Sequence, residues 1–328
     1  MTDIGGNSGL DRVLVLEVTR VTEAAAIAAA RLRGRGAEKA ADKAAVDAMR
    51  RELAKLAIRG TVVIGEGEMD EAPMLYIGEK VGIGEGPEVD IAVDPLEGTT
   101  LCAKSMPNAL AVLAISERGG LLHAPDMYMN KIAIGPGYPD GTVDLDASPA
   151  ENLNALAKAK GVPIGEIMAC ILDRPRHAEL IRAVREAGAG VQLIPDGDIA
   201  GVIWTTDPRE TGVDIYIGSG GAPEGVLAAA ALRCIGGQME GRLIPMKDEE
   251  RMRAEKMGIT DINKKFKLED MASADVVFSA TGVTDGSLLK GVRIRGDFAE
   301  TETVVMRSKT GTVRRINSTL RNVGARFI

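Results

Sequence analysis

The residues best suited to chemistry in this sequence stand together at Asp94-Pro95-Leu96-Glu97-Gly98-Thr99-Thr100. They follow the largely apolar run 89–93, which predicts a buried strand. We expect Pro95 to end that strand and Gly98 to let the backbone turn. Ligands bind at strand ends in α/β folds, and oxygen donors suit magnesium or manganese, so the segment predicts a metal-dependent phosphate site. The alternative is an acidic turn in which Thr99 caps a helix.

Two more acidic turns are hinged by glycine. Gly65-Glu66-Gly67-Glu68 follows the β-branched run 61–64, so Glu66 is also expected at a strand end. Gly218-Ser219-Gly220-Gly221 precedes a proline and a helix-forming stretch, and backbone amides in such a turn could hold a phosphate. Glu224 then belongs either to the site or to an ordinary first helical turn, where a carboxylate complements the helix dipole.

A third cluster is basic and polar. Asp173-Arg174-Pro175-Arg176-His177 follows a predicted strand that ends at Leu172, and Asp196-Gly197-Asp198 follows another. Arginine forks match phosphate oxygens, and an aspartate pair in a glycine turn accepts hydrogen bonds from sugar hydroxyls. Together the segments predict a phosphosugar site. Taken separately, each is also typical of a surface ion pair or a tight turn.

Composition excludes several classes of function. The chain has 328 residues, a net charge of -7 and 3% aromatic residues, which argues against nucleic-acid binding. It has only two histidines, and three widely spaced cysteines in no CxxC motif, which disfavours Ser-His-Asp triads, zinc sites and disulfide frameworks. Neither a GxxxxGK[ST] loop nor a complete GxGxxG fingerprint is present. Residues 1–9 do not resemble a secretory leader, and no stretch is long enough to span a membrane, so we expect a cytoplasmic protein.

The order of predicted elements indicates an α/β fold in two parts. Helices are expected at 14–33, at 39–59 with Asp42 near its start, and at 149–160. After Gly161 strands and helices alternate, which favours a sheet with parallel character. We therefore predict an N-terminal metal-site domain at 1–155 and a C-terminal substrate-binding domain at 156–328.

Six segments, in order, resemble class II fructose-1,6-bisphosphatase of the bacterial glycerol-regulon type. They are residues 63–68, 70–79, 90–99, 124–129, 195–198 and 221–225. That family belongs to the lithium-sensitive sugar and inositol phosphatase superfamily. The resemblance therefore implies a layered αβαβα sugar-phosphatase fold in two joined halves.

The resemblance also implies roles for individual residues. The implied ligands of Mg²⁺ or Mn²⁺ are Asp42, Glu66, Asp94, Glu97 and Glu224, with the Leu96 carbonyl as a further donor. Thr99 is implied as the catalytic hydroxyl, assisted by Glu66 or Asp94 as base or ligand. The implied substrate contacts are Gly98, Thr99, Tyr128, Arg174, Pro175, Arg176, Asp196, Gly197, Asp198 and Gly221. Lys39 is a departure, because by simple count Glu38 occupies the position where the family commonly has a lysine.

The expected activity is that of a phosphoric monoester hydrolase in gluconeogenesis. It removes the 1-phosphate of fructose 1,6-bisphosphate and leaves fructose 6-phosphate. Sedoheptulose 1,7-bisphosphate is the alternative substrate, alone or in addition. A non-catalytic phosphosugar sensor is the alternative from another class. The resemblance further implies a homo-oligomer, a dimer or a tetramer, with no nucleic-acid or membrane partner.

Overall fold

The computed structural model describes residue 10, residues 12–67 and residues 74–321, so Glu68 and residues 70–73 of the motif 70–79 lie outside the described residues. The strands of the described part are β1 (Arg59–Ile64), β2 (Lys80–Val81), β3 (Glu88–Glu97), β4 (Leu110–Glu117), β5 (Tyr128–Ile134), β6 (Met168–Leu172), β7 (Gly190–Ile194), β8 (Ile215–Gly221), β9 (Gln238–Ile244), β10 (Phe266–Lys267), β11 (Val276–Gly282), β12 (Arg293–Arg295), β13 (Phe298–Arg307) and β14 (Thr312–Arg321). The helices are α1 (Arg12–Ala30), α2 (Glu38–Leu53), α3 (Thr99–Ala103), α4 (Pro149–Lys160), α5 (Ala178–Glu186), α6 (Asp198–Trp204), α7 (Pro208–Thr211), α8 (Ala222–Arg233), α9 (Asp248–Lys256) and α10 (Leu268–Met271).

The strands form two mixed sheets. The first has the order β12-β13-β11-β4-β3-β1-β2, with β14 paired to β13, and in it β1 and β3 are parallel neighbours. The second has the order β10-β9-β5-β8-β6-β7, in which β6 is parallel to both β7 and β8. β5 is antiparallel to β8 and β9, so the expected parallel character is confirmed only for β6, β7 and β8.

Helices separate and cover the two sheets. α1 and α2 pack on the first sheet, α4 and α5 pack together with α5 against β7 of the second, and α8 contacts strands of both sheets. α8 is buried along nearly its whole length, as expected for a helix that is apolar on all sides. The layers therefore alternate as αβαβα, and the predicted fold class is confirmed.

Two local predictions about helices had different outcomes. The helix predicted at 149–160 is confirmed as α4, with a capping box between Ser148 and Glu151 and Gly161 in the left-handed conformation. The helix predicted at 39–59 is wrong at its end, because α2 stops at Leu53. Ile58 is fully buried, and Arg59 starts β1 with its amide donating to the Pro87 carbonyl at 2.8 Å. Tertiary pairing there overrides helix propensity.

The prediction that Pro95 ends the strand is also wrong. β3 continues to Glu97, and its register on β4 shifts between Asp94, which is opposite Val112, and Glu97, which is opposite Leu110. A bulge tolerates proline because the extra residue does not need to donate to the ladder. On the other side of β3, β1 pairs only as far as Ala92. A backbone amide at position 95 would have no partner on β1, so proline, which lacks that amide, costs no hydrogen bond there.

The glycine segment before α8 was predicted as a turn and is strand. Gly218 to Gly221 form the end of β8 and pair with β5, where Gly221 is opposite Tyr128. The chain turns directly from this strand into α8, with Gly221 as the N-cap.

Sheet membership crosses the two sequence halves. β5 lies in the second sheet, whereas β11 to β14 lie in the first, and residue 155 falls within α4. The division into domains 1–155 and 156–328 stays a prediction. In the described part of the chain, no helix combines the length and the apolar character needed to cross a bilayer.

Candidate active site

The predicted acidic residues meet at the carboxyl ends of β1 and β3. Because these strands are parallel neighbours, Glu66 and Asp94 emerge at the same edge of the first sheet. Asp42 comes from α2 and Glu224 from the first turn of α8. These residues line one cavity of about 340 Å³ together with Glu97, Gly98 and Thr99.

Thr99 is the first residue of α3. Gly98 is the N-cap of that helix and has φ of 80°, a left-handed conformation that favours glycine. The alternative in which Thr99 caps the helix is therefore wrong, since Thr99 lies inside the helix and its side chain borders the cavity.

A short segment holds Glu66 against the end of β1. The Glu66 amide donates to the Leu75 carbonyl at 3.0 Å, and a β-carbon on Gly65 would lie only 2.0 Å from that oxygen. The Glu79 carboxylate accepts hydrogen bonds from the Leu75 amide and from Nε of Arg50. Gly65 thus allows the close approach, and Glu79 secures the segment that makes it.

Burial and mutual repulsion perturb the acidic groups. Burial, followed by the nearby charges of Asp94 and Asp42, raises the pKa of Glu66 to about 8. Burial and the charge of Glu224 raise the pKa of Asp94. Burial and the charge of Asp94 raise the pKa of Glu97 well above its usual value. The chain alone therefore disfavours full ionisation of this cluster.

The donor chemistry of the cavity fits a hard divalent cation. Every predicted ligand side chain supplies carboxylate oxygens, and Oε2 of Glu224 is buried with no hydrogen-bond partner. Among the described residues, no group of three or more acidic, histidine or cysteine side chains lies close enough together to coordinate a metal ion without rearrangement. The acidic side chains line the cavity, and those of Asp94 and Glu97 share a hydrogen bond.

A second, smaller cavity of about 170 Å³ adjoins the first. The two share Glu97, Asp196 and Glu224 as lining residues. The smaller cavity is also lined by Tyr128, Leu172, Arg174, Arg176, Gly197, Asp198, Gly220 and Gly221. An acidic compartment and a compartment with two arginines therefore lie side by side, and below we call them the acidic compartment and the arginine compartment.

The two arginines differ in how firmly they are held. Arg174 lies 3.6 Å from Asp196 in a pair that is about one third exposed on both sides. Arg176 donates from Nε to Ser219 Oγ at 2.9 Å and from Nη2 to the Ser219 carbonyl at 2.7 Å. Its guanidinium carbon lies 4.8 Å from the centre of the Tyr128 ring, within cation–π range.

Asp198 is not free to meet solvent. Its carboxylate pairs with Lys131, which is 1% exposed and also donates to the Gly221 carbonyl at 2.8 Å. A β-carbon on Gly220 would lie 1.8 Å from Oδ2 of Asp198, so this strand position has room only for glycine. Asp198 therefore lines the arginine compartment, and its ion-pair partner Lys131 lies behind it.

Two predicted residues lie apart from the cavities. Pro175 is exposed and lines neither of them. Lys39 is exposed near the start of α2. Burial is the main cause that raises the pKa of Asp196, and the charge of Glu38, the neighbour of Lys39, adds to that rise. Lys39 lines neither cavity, and the sequence assigns it no role.

The structure places three further residues at or behind the site to which the sequence alone gave no individual role. They are Asp126, which lines the acidic compartment, and Lys131 and Ser219 behind the arginine compartment. The available signal for Lys131 was a lysine directly before the apolar run 132–134. Ser219 stood in the predicted glycine turn, but nothing indicated a role for its side chain, because its partners lie more than forty positions away.

Comparison with known proteins identifies the family. The family model described as "Bacterial fructose-1,6-bisphosphatase, glpX-encoded" matches residues 12–320. The chain belongs to this family. "Fructose-1,6-bisphosphatase 1 class 2" of Escherichia coli (strain K12) is 49% identical over 321 residues, which cover 94% of this chain and 95% of the relative. "Fructose-1,6-bisphosphatase class 2" of Shigella flexneri matches with the same identity and coverage.

Membership of the glpX-encoded family confirms the resemblance drawn from the six sequence segments. It also confirms the prediction of a hydrolase of the phosphatase class, since the matched relatives are named fructose-1,6-bisphosphatases. The segments that carried the resemblance supply Glu66, Asp94, Glu97 and Glu224 to the acidic compartment.

Proposed function

We propose that this protein hydrolyses the 1-phosphate of fructose 1,6-bisphosphate and releases fructose 6-phosphate. One observation carries the proposal, which is that the acidic compartment and the arginine compartment adjoin and share a wall. A sugar bisphosphate has two phosphates separated by a short polar chain, so each phosphate would occupy one compartment. The names of the matched relatives support the same substrate.

Charge explains why a divalent cation is needed. The substrate brings up to about four negative charges towards five carboxylates, and like charges a few ångströms apart in a partly dry site repel strongly. Asp42, Glu66, Asp94, Glu97 and Glu224 would hold Mg²⁺ or Mn²⁺. The bound ion would neutralise the phosphoryl group and make water a better nucleophile.

The chain's own residues would orient the substrate and move a proton. The Thr99 hydroxyl, at the border of the acidic compartment, would donate a hydrogen bond to the phosphoryl group under attack. Glu66 or Asp94 would accept the proton of the attacking water. Arg174 and Arg176 would hold the distant phosphate, and Asp196 would accept hydrogen bonds from sugar hydroxyls.

Phosphate release tests this proposal. The purified protein is given fructose 1,6-bisphosphate or sedoheptulose 1,7-bisphosphate with Mg²⁺ or Mn²⁺, alongside a chelator control and Thr99→Ala. The proposal is supported if phosphate release requires the metal and is slower in Thr99→Ala. The rates with fructose 1,6-bisphosphate and sedoheptulose 1,7-bisphosphate then rank the two substrates. Binding of fructose 6-phosphate without any release would instead favour a phosphosugar sensor.

We also infer a cytoplasmic homo-oligomer, a dimer or a tetramer, that acts in gluconeogenesis. The support is family membership together with three buried, unpaired cysteines, which suit a reducing compartment. Light scattering coupled to gel filtration measures the mass of the assembly. A monomeric mass would contradict the inferred oligomer.

A further inference from the structure

Ser219 carries no role in the sequence-based site, yet it makes two of the hydrogen bonds that hold Arg176. Its hydroxyl accepts from Nε and its carbonyl accepts from Nη2. Ser219 is buried near the end of β8, whereas Arg176 lies in an exposed turn after β6. The strand therefore anchors a side chain that its own turn would leave free.

The buried His177 fixes the orientation of Ser219. Its Nδ1 lies 2.8 Å from the Leu172 carbonyl, which can only accept, so Nδ1 carries the proton. Nε2 is then an acceptor, and its one lone pair is shared between the Ser219 amide at 2.9 Å and the Ser219 hydroxyl at 3.0 Å. Because that hydroxyl proton points to His177, the lone pairs of Oγ face Arg176.

The N–H groups of Arg176 that do not bond Ser219 could bind a ligand. A guanidinium has five N–H groups, and Ser219 takes two of them. The Tyr128 ring lies against the guanidinium, and both side chains line the arginine compartment. The other N–H groups are available for an anionic oxygen in that compartment.

We infer that His177 and Ser219 are positioning residues, which hold Arg176 in place to bind the phosphate of the substrate that is not hydrolysed. The inference rests on the proposed function. Its physical basis is preorganisation, because an arginine already fixed in the free protein loses less side-chain entropy when it binds a phosphate. The effect should therefore appear in KM and in the affinity for product, with kcat nearly unchanged.

Ser219→Ala is the direct test, because it removes the hydroxyl but keeps the backbone groups. We expect it to raise KM for fructose 1,6-bisphosphate about tenfold, because one hydrogen bond to a charged group is lost. The kcat should stay within about twofold of the wild-type value. In an Arg176→Met background the same substitution should leave KM unchanged. An equal rise in both backgrounds, or a loss of kcat without a rise in KM, would overturn the inference.

Ser279→Ala is the matched control. Ser279 is a buried strand serine in the first sheet, and its hydroxyl bonds that of Thr22 at 2.9 Å. It should lower thermal stability by an amount similar to Ser219→Ala and leave KM unchanged. If both variants change KM alike, the effect is general destabilisation and the inference is wrong.

His177 is tested by a pair of variants. His177→Phe keeps a ring but offers no acceptor, whereas the His177→Gln side-chain carbonyl can accept from Ser219. We expect the KM of His177→Gln to lie between those of the wild type and His177→Phe. A KM for His177→Phe equal to that of the wild type would overturn the role of His177.

Calorimetric binding of fructose 6-phosphate separates this inference from the proposed function. This product carries only the distant phosphate, and its binding needs no turnover. If the wild type releases no phosphate from the bisphosphate, the proposed function fails. Product affinity that falls about tenfold in Ser219→Ala would still support the positioning role, and unchanged affinity would overturn it.

Discussion

Oε1 of Glu97 accepts a hydrogen bond from the backbone amide of Ile199 at 3.0 Å. Glu97 is the last residue of β3 in the first sheet, and Ile199 lies in the first turn of α6, which follows β7 of the second sheet. A free helical amide is thereby satisfied by a carboxylate, which also complements the helix dipole. The same carboxylate lines both compartments, so it joins the two sheets at the site.

Glu97→Gln should separate the structural role of this residue from its proposed role as a metal ligand. The amide oxygen can still accept from Ile199, and glutamine resembles the protonated form that the raised pKa of Glu97 favours without a cation, so we expect stability in chelator to be equal or higher. Mn²⁺ affinity should fall about tenfold or more, because one anionic donor is lost. Thermal unfolding and a Mn²⁺ titration measure the two effects.

Glu97→Ala is the contrasting variant. It leaves the Ile199 amide without its acceptor and should lower the free energy of unfolding by about 1–3 kcal/mol. If Glu97→Gln lost as much stability as Glu97→Ala, the interaction with the amide would not be the structural role of this side chain.

The acidic compartment should make the protein in chelator less stable as pH rises. The ordinary pKa of Glu66 is 4.5 and the folded protein raises it to about 8, so the unfolded chain ionises first. The stability contributed by the protonated group is complete below about pH 4.5 and is lost as pH rises through about 8. Between about pH 6.5 and 8.5 we expect the melting temperature in chelator to fall by roughly 2–4 °C.

Mn²⁺ should reverse this trend, because a cation binds the ionised carboxylates and its stabilisation grows as they deprotonate. Glu66→Gln removes one titrating group and should reduce the slope in chelator, while Asp94, whose raised pKa is about 7, keeps part of it. Burial lowers the pKa of His177 from its ordinary value of 6.5, so near the lower end of the window this group adds stability as pH rises and opposes the predicted fall. A rise in stability with pH in chelator would contradict the prediction.

Thr99→Ala should lower kcat by about 10²-fold, the usual effect of removing one donor to the developing charge. Mn²⁺ binding should persist, since the carboxylates are unchanged. Thr99→Ser keeps the hydroxyl and should retain most of the turnover. Steady-state phosphate release with a parallel Mn²⁺ titration measures both quantities, and full turnover in Thr99→Ala would exclude the proposed role.

Lys131→Met should destabilise the protein by about 3–5 kcal/mol, because it leaves the Asp198 carboxylate buried without a counter-ion. Asp198 is 6% exposed, so solvent cannot replace the lysine. Adding Asp198→Asn should recover part of the loss. Denaturant unfolding of the single and double variants tests this, and additive losses would show that the two side chains are not coupled.

The sequence by itself determined most of the acidic compartment. Glu66, Asp94 and Glu97 stand directly beside strand-forming runs or within one, and parallel neighbouring strands bring such positions to a common edge. The helix at 149–160 was equally clear, because its capping box, its terminal glycine and its composition agree. These signals are local, so a single sequence contains them.

Only the tertiary structure decided which groups are held and which are free. Whether Pro95 ends β3 depended on where β1 stops pairing, and whether the Asp198 carboxylate is free or paired depended on Lys131, which lies 67 positions away. The link from His177 through Ser219 to Arg176 joins an exposed turn to a strand of the second sheet. Such contacts leave no periodic trace in the sequence, since they depend on the pairing of distant strands, and that pairing is set by the packing of the whole chain.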